Sequence, residues 1–129
     1  MNPWPRLRAW AAYKWRARSR YFLHSPFLYA LKMQVLEGPP APVGARIEAF
    51  RRQLATSTQL LAIDDYGAGY GGDGRSRRTV TLGQAVRGSA RRRRTGDLLY
   101  RFMRFHQPAY ALELGTNLGF SALYQMAGW

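Results

Sequence analysis

Tyr110-Ala111-Leu112-Glu113-Leu114-Gly115-Thr116-Asn117-Leu118-Gly119-Phe120 decides how the chain is read. Residues 110–114 read as a buried strand, 115–119 as a turn, and Phe120 onward as a new helix, which together make half of a βαβ unit. Such a succession aims backbone N–H groups out of the helix N-terminus, and glycine lets a ligand approach the main chain closely. The dinucleotide fingerprint G-x-G-x-x-G is missing. The spacing is instead G-x-x-x-G, Gly115 to Gly119, with Glu113 two residues ahead. That spacing alone leaves two readings open, a ligand loop and an ordinary packing turn between strand and helix.

Working back from this segment, Gly96 to about His106 predicts a helix burying Leu98, Leu99, Phe102 and Met103, closed by Pro108. Thr81 and Gln84 have the spacing of a capping box, so a short helix is expected over Leu82 to Ala90, after a strand at Thr79-Val80-Thr81. Leu60-Leu61-Ala62-Ile63 reads as the strand that pairs with it. Between them lies Asp65-Tyr66-Gly67-Ala68-Gly69-Tyr70-Gly71, a second glycine-rich loop. No amphipathic helix follows this loop directly, and no acid lies between Asp73 and Asp97 to hold a ribose about 20 residues on. Its D-x-G-x-G-x-G spacing makes it the rival cofactor loop, but a hairpin loop or lid is the preferred reading.

The N-terminal region reads as helical. Residues 4–22 place Trp4, Leu7, Ala11, Trp15 and Phe22 roughly on one side, with arginines on the others. That stripe is expected to dock on the rest of the protein, with nucleic acid or an anionic membrane surface as alternatives. Ser25-Pro26 is a helix start, because serine caps at N-cap and proline at N1 gives up no needed N–H. The helix it opens should end near Glu37, before Gly38-Pro39-Pro40. A third helix carries Ile47, Phe50 and Leu54 at helical spacing, with Glu48 and Arg52 as an i,i+4 pair. His24 reads as a surface or capping histidine, with a general-base role as the alternative.

A chain of 129 residues, 47% apolar, can bury one modest core. It has no cysteine and two histidines, which removes disulfides and thiolate chemistry and leaves no metal site to assign. The charge of +13 comes from eighteen arginines and two lysines against seven acids, so anionic partners must be considered. No stretch has the roughly 18 apolar residues of a membrane span, and residues 1–20 lack a secretory core, so a cytoplasmic location is expected.

The stretch Thr95-Gly96-Asp97-Leu98-Leu99, continued by Pro108 to Leu123, resembles class I S-adenosylmethionine (SAM)-dependent methyltransferases. It is most similar to the catechol and caffeoyl-CoA O-methyltransferase type, whose first motif reads like LEhGTxxGhSA. Upstream, His24-Ser25-Pro26-Phe27, Asp65-Tyr66-Gly67-Ala68-Gly69 and Gly96-x-Leu98-Leu99 resemble, in this order, a bacterial group of uncharacterised methyltransferases; the resemblance covers roughly residues 13–128. It implies an α/β chain, with an N-terminal helical and basic region (1–94) followed by the start of a Rossmann-like SAM-binding domain (95–129). It also implies that Glu113, Gly115 and Gly119 form the SAM loop, that Thr116 and Asn117 line the turn, and that Ser121 contacts the methionine end of the cofactor. Trp129 falls within the first helix of such a domain, so a truncated domain, inactive alone, is expected, with the ribose-binding acid and catalytic base beyond the chain. No catalytic residue is assigned. A small-molecule methyl acceptor with oxygen as nucleophile is favoured.

The alternative is an arginine-rich nucleic-acid-binding module, or a nucleic-acid methyltransferase combining both features. Arg75, Arg77, Arg78, Arg87 and Arg91 to Arg94 would neutralise phosphates, and Trp4, Trp10, Tyr13 and Trp15 would stack on bases. A merely solvated basic face is the simpler account of those arginines.

Overall fold

The computed structural model describes residues 4–17, 24–65, 76–89 and 93–129, in two compact units, Met1–Gly38 and Pro39–Trp129. The described residues are mostly helical, with one two-stranded antiparallel sheet. The expected loop or lid at residues 66–74, the helix beyond Ala17 including Phe22, and Arg91 and Arg92 lie outside the described residues.

The first unit begins with α1 (Trp4–Arg16), which buries none of its residues. Trp4, Leu7 and Trp15, on the stripe read from the sequence, are exposed. α2 (Pro26–Leu31) starts as anticipated, with the Leu28 N–H donating to the Ser25 hydroxyl at 3.4 Å and Pro26 in the first turn. Its continuation, Lys32–Leu36, widens into a π-helical turn. There the Glu37 N–H donates to the Lys32 carbonyl at 2.9 Å, and the same two residues form an ion pair at 3.2 Å.

The second unit is organised around α5 (Arg93–His106). Against it pack α6 (Phe120–Gly128) and α3 (Gly44–Ala55), and α3 also meets α4 (Leu82–Ser89). Ala41, Ile47 and Tyr124 form the buried cluster, with Val43, Tyr100 and Phe120 against it. Val86 and Met103 are buried as well. Of the four side chains expected on the buried face of α5, Met103 is buried, Leu98 and Leu99 are half-buried, and Phe102 is exposed. The helix is turned so that Gly96, Tyr100 and Met103, spaced i, i+4 and i+7, face α6. A Cβ at Gly96 would collide with the Tyr124 ring, so glycine is what permits this approach.

Asp97, only 7% exposed, fixes the loop that precedes α3. Its Oδ1 accepts the Ala41 N–H at 3.0 Å, and one turn further along α5 the Arg101 guanidinium donates to the Pro39 carbonyl at 2.9 Å. A buried amide donor left without a partner costs about 1–3 kcal/mol, and the Asp97 carboxylate answers that demand for Ala41, in a segment whose three prolines, Pro39, Pro40 and Pro42, supply no donors of their own.

β1 (Leu60–Asp65) pairs antiparallel with β2 (Ser76–Thr81), Leu60 opposite Thr81 and Asp65 opposite Ser76, as a returning strand requires. α4 follows at once and carries the expected capping box. The Gln84 N–H donates to the Thr81 hydroxyl at 3.1 Å, and the Thr81 N–H donates to the Gln84 side-chain oxygen at 2.9 Å.

The strand expected at residues 110–114 does not form. Tyr110, Leu112 and Leu114 are 91%, 85% and 86% exposed, so this segment is neither a strand nor buried. A strand exists only through a neighbour that takes its N–H and C=O groups. Among the described residues the sheet consists of β1 and β2 alone, and 110–114 pairs with neither. The helix of the expected β-α unit is present without its strand.

These contacts make defined demands. Gly96→Ala should lower the stability to urea by about 1–3 kcal/mol through overpacking against Tyr124. Gly88→Ala, where an added Cβ meets nothing within 4 Å, should be neutral or stabilising by up to about 1 kcal/mol. Equal losses in both variants would refute the close α5–α6 approach.

A polar cleft at the start of the last helix

Gly115 and Gly119 have φ of 78° and 77°, and Asn117 between them has 50°. Left-handed backbone is open to glycine and tolerated by asparagine, so the residues at 115, 117 and 119 suit the turn they make. The Gly119 N–H closes it onto the Thr116 carbonyl at 2.9 Å. Gly119 is also the N-cap of α6, and no side chain caps that helix. The N–H groups of the first turn therefore have no acceptor within the helix.

This turn forms one wall of a cleft of about 470 Å³. Gly115, Thr116, Asn117 and Ser121 line it from the turn and α6, Thr95 and Gly96 from α5, and Glu48 and Arg51 from α3. Leu99, Leu118 and Phe120 add apolar surface. Sites for small ligands have this size and this mixture of apolar wall and few polar groups.

The six residues singled out from the sequence divide into three roles. Gly115, Thr116, Asn117 and Ser121 line the cleft. Gly119 shapes the turn. Glu113 lies on a second, smaller concavity with Ala111, Ala122, Gln125, Met126 and Trp129, and its carboxylate accepts a hydrogen bond from the Ser121 hydroxyl. Glu113 thus reaches the cleft through Ser121. His24, in the other unit, is exposed.

Sequence reasoning missed the opposite wall. The spacing suggests that Glu48 pairs with Arg52; it pairs with Arg51 instead, three residues on. The Tyr124 hydroxyl donates to the other Glu48 oxygen at 3.2 Å. Tyr124 follows Ser121 by three residues on α6, which places both on one helix face, and that spacing was the available signal. Burial and the neighbouring Glu48 carboxylate push the Tyr124 hydroxyl up to about 12. Asp97 adds to this and Arg93 opposes it.

Several arginines serve the fold. Arg87 donates to the Ala55 carbonyl at the C-terminus of α3, where a cation also complements the helix dipole. Arg93, in the first turn of α5, lies 3.7 Å from Asp97. Among the described residues no group of three His, Cys, Asp or Glu side chains could hold a metal ion. No protein family, curated protein or solved structure matches the chain.

The Tyr124 hydroxyl yields a test of the cleft wall. Its folded-state value lies above the ordinary 10, so the neutral form is favoured on folding. That stabilisation is complete below about pH 10 and is lost as the pH rises through about 12. Denaturant midpoints should fall over this interval in the wild type, and Tyr124→Phe should flatten the fall. An identical pH profile in the variant would place the titration elsewhere.

Proposed function

We propose that the cleft is a SAM site and that the chain serves a class I methyltransferase with a Rossmann-like SAM domain. The observation that carries this reading is that Gly115, Thr116, Asn117 and Ser121, the positions implied by the resemblance, converge on one polar cleft at a helix N-terminus. The donor set suits the group. SAM presents an ammonium, a carboxylate and a sulfonium, and no phosphate. Glu48 offers a carboxylate for the cation. Arg51 and the free N–H groups of the first turn of α6 offer donors for the carboxylate. Thr95, Thr116, Asn117 and Ser121 offer hydroxyl and amide partners for the remaining polar atoms.

When bound, SAM would supply an electrophilic methyl group that passes to a nucleophile as its sulfur leaves in S-adenosylhomocysteine. The residues here bind and orient, which is the protein's main contribution in such transfers. Glu113 holds the Ser121 hydroxyl in one rotamer, and the Tyr124 and Arg51 bonds hold Glu48, so the polar wall is fixed before a ligand arrives. A small-molecule acceptor with an oxygen nucleophile is proposed. Two of the arginines a nucleic-acid acceptor would call on, Arg87 and Arg93, are directed to Ala55 and Asp97.

Titration of SAM into the isotopically labelled chain, followed by amide chemical shifts, should move Thr95, Gly96 and residues 115–121 together. Gly115→Val, which forces a β-branched residue into left-handed backbone, should weaken binding about ten-fold or more. Saturable shifts confined to other residues, or none, would sink the assignment.

A further inference from the structure

On α1, Trp4, Leu7, Ala11 and Trp15 fall at i, i+3, i+7 and i+11 and form one narrow apolar stripe. Every residue of the helix is exposed, Trp15 at 93% and Trp4 at 68%. Arg8 and Lys14 border the stripe on its two sides, and Arg6 and Arg16 lie further round. The Lys14 ammonium stands 5.9 Å from the centre of the Trp10 ring, extending the aromatic surface beyond the stripe. No acid occurs in the sequence before Glu37, so nothing in α1 offsets its cations.

We infer that α1 binds an anionic lipid surface, lying in its plane with Trp4, Leu7, Ala11 and Trp15 inserted among the headgroups. The stripe supplies apolar area, tryptophan is at home at the interface, and the bordering cations sit at the level of lipid phosphates. A helix of this length extends about 20 Å, less than the hydrocarbon thickness. No helix among the described residues is long and apolar enough to cross a membrane, which agrees with a surface-bound helix. A single-stranded nucleic acid fits this pattern less well. Leu7 and Ala11 give bases nothing to stack on, and Arg6 and Arg16 point away from the face that carries Trp4 and Trp15.

The experiment uses the whole chain carrying Trp129→Phe, which leaves its three other tryptophans on α1. It is mixed with vesicles of phosphatidylcholine alone and of equal parts phosphatidylcholine and phosphatidylglycerol. Co-sedimentation with the anionic vesicles only, with a blue shift of tryptophan emission, is the expected result. Arg8→Ala should weaken partitioning about five-fold. Trp4→Ser with Trp15→Ser should weaken it at least about ten-fold, and because both side chains are exposed the circular dichroism should be unchanged. Undiminished binding by the double serine variant would overturn the inference, since the arginines elsewhere would then be responsible. So would absence of co-sedimentation, or tighter binding of a single-stranded oligonucleotide that is lost in the same variant.

Discussion

The Asp97 carboxylate is the constraint on which the second unit depends. It is a charged group on a helix, almost fully removed from water, and such a group persists only where its oxygens are answered. One oxygen takes the Ala41 N–H, and Arg93 approaches the other from the first turn of the same helix. Together these tie the loop before α3 to the start of α5. Gly96, the adjacent residue, lets the Tyr124 ring lie against the helix backbone, so one turn of α5 sets the positions of both α3 and α6. The arginine in that turn is on the unfavourable side of the helix dipole, and its proximity to Asp97 offsets the penalty.

The cleft is a consequence of this arrangement. α3 brings Glu48 and Arg51, α5 brings Thr95 and Gly96, and α6 begins at a left-handed turn where no side chain caps its first N–H groups. Polar groups are thereby held without a ligand, through Glu113 to Ser121 and through Tyr124 and Arg51 to Glu48. Preorganisation of this kind limits the entropy lost when a ligand is bound.

Arginine is used in two ways along the chain. In the second unit Arg51, Arg87, Arg93 and Arg101 each reach a carboxylate or a main-chain carbonyl: Arg87 and Arg101 connect one element to another, while Arg51 and Arg93 each fix an acid on their own helix. On α1 the cations border an apolar stripe whose Trp4, Leu7 and Trp15 are exposed. The net charge of +13 thus conceals a division between arginines that serve packing and arginines that present charge outward.

By itself the sequence determined the features whose physics is local. Ser25-Pro26 starts a helix, Thr81 and Gln84 form a reciprocal cap, and Gly115, Asn117 and Gly119 allow the left-handed turn before α6; each depends on a few adjacent residues. The hairpin was legible too, since two short strand-forming runs flank a glycine-rich loop. Only the tertiary structure decided which side of α5 is buried, because that depends on Gly96 meeting a ring 28 residues away. It likewise brought Glu48 and Arg51 to face the turn across the cleft. The segment at 110–114 has the composition of a strand, yet a strand is a relation between two chains of hydrogen-bonding groups, and no described strand pairs with it.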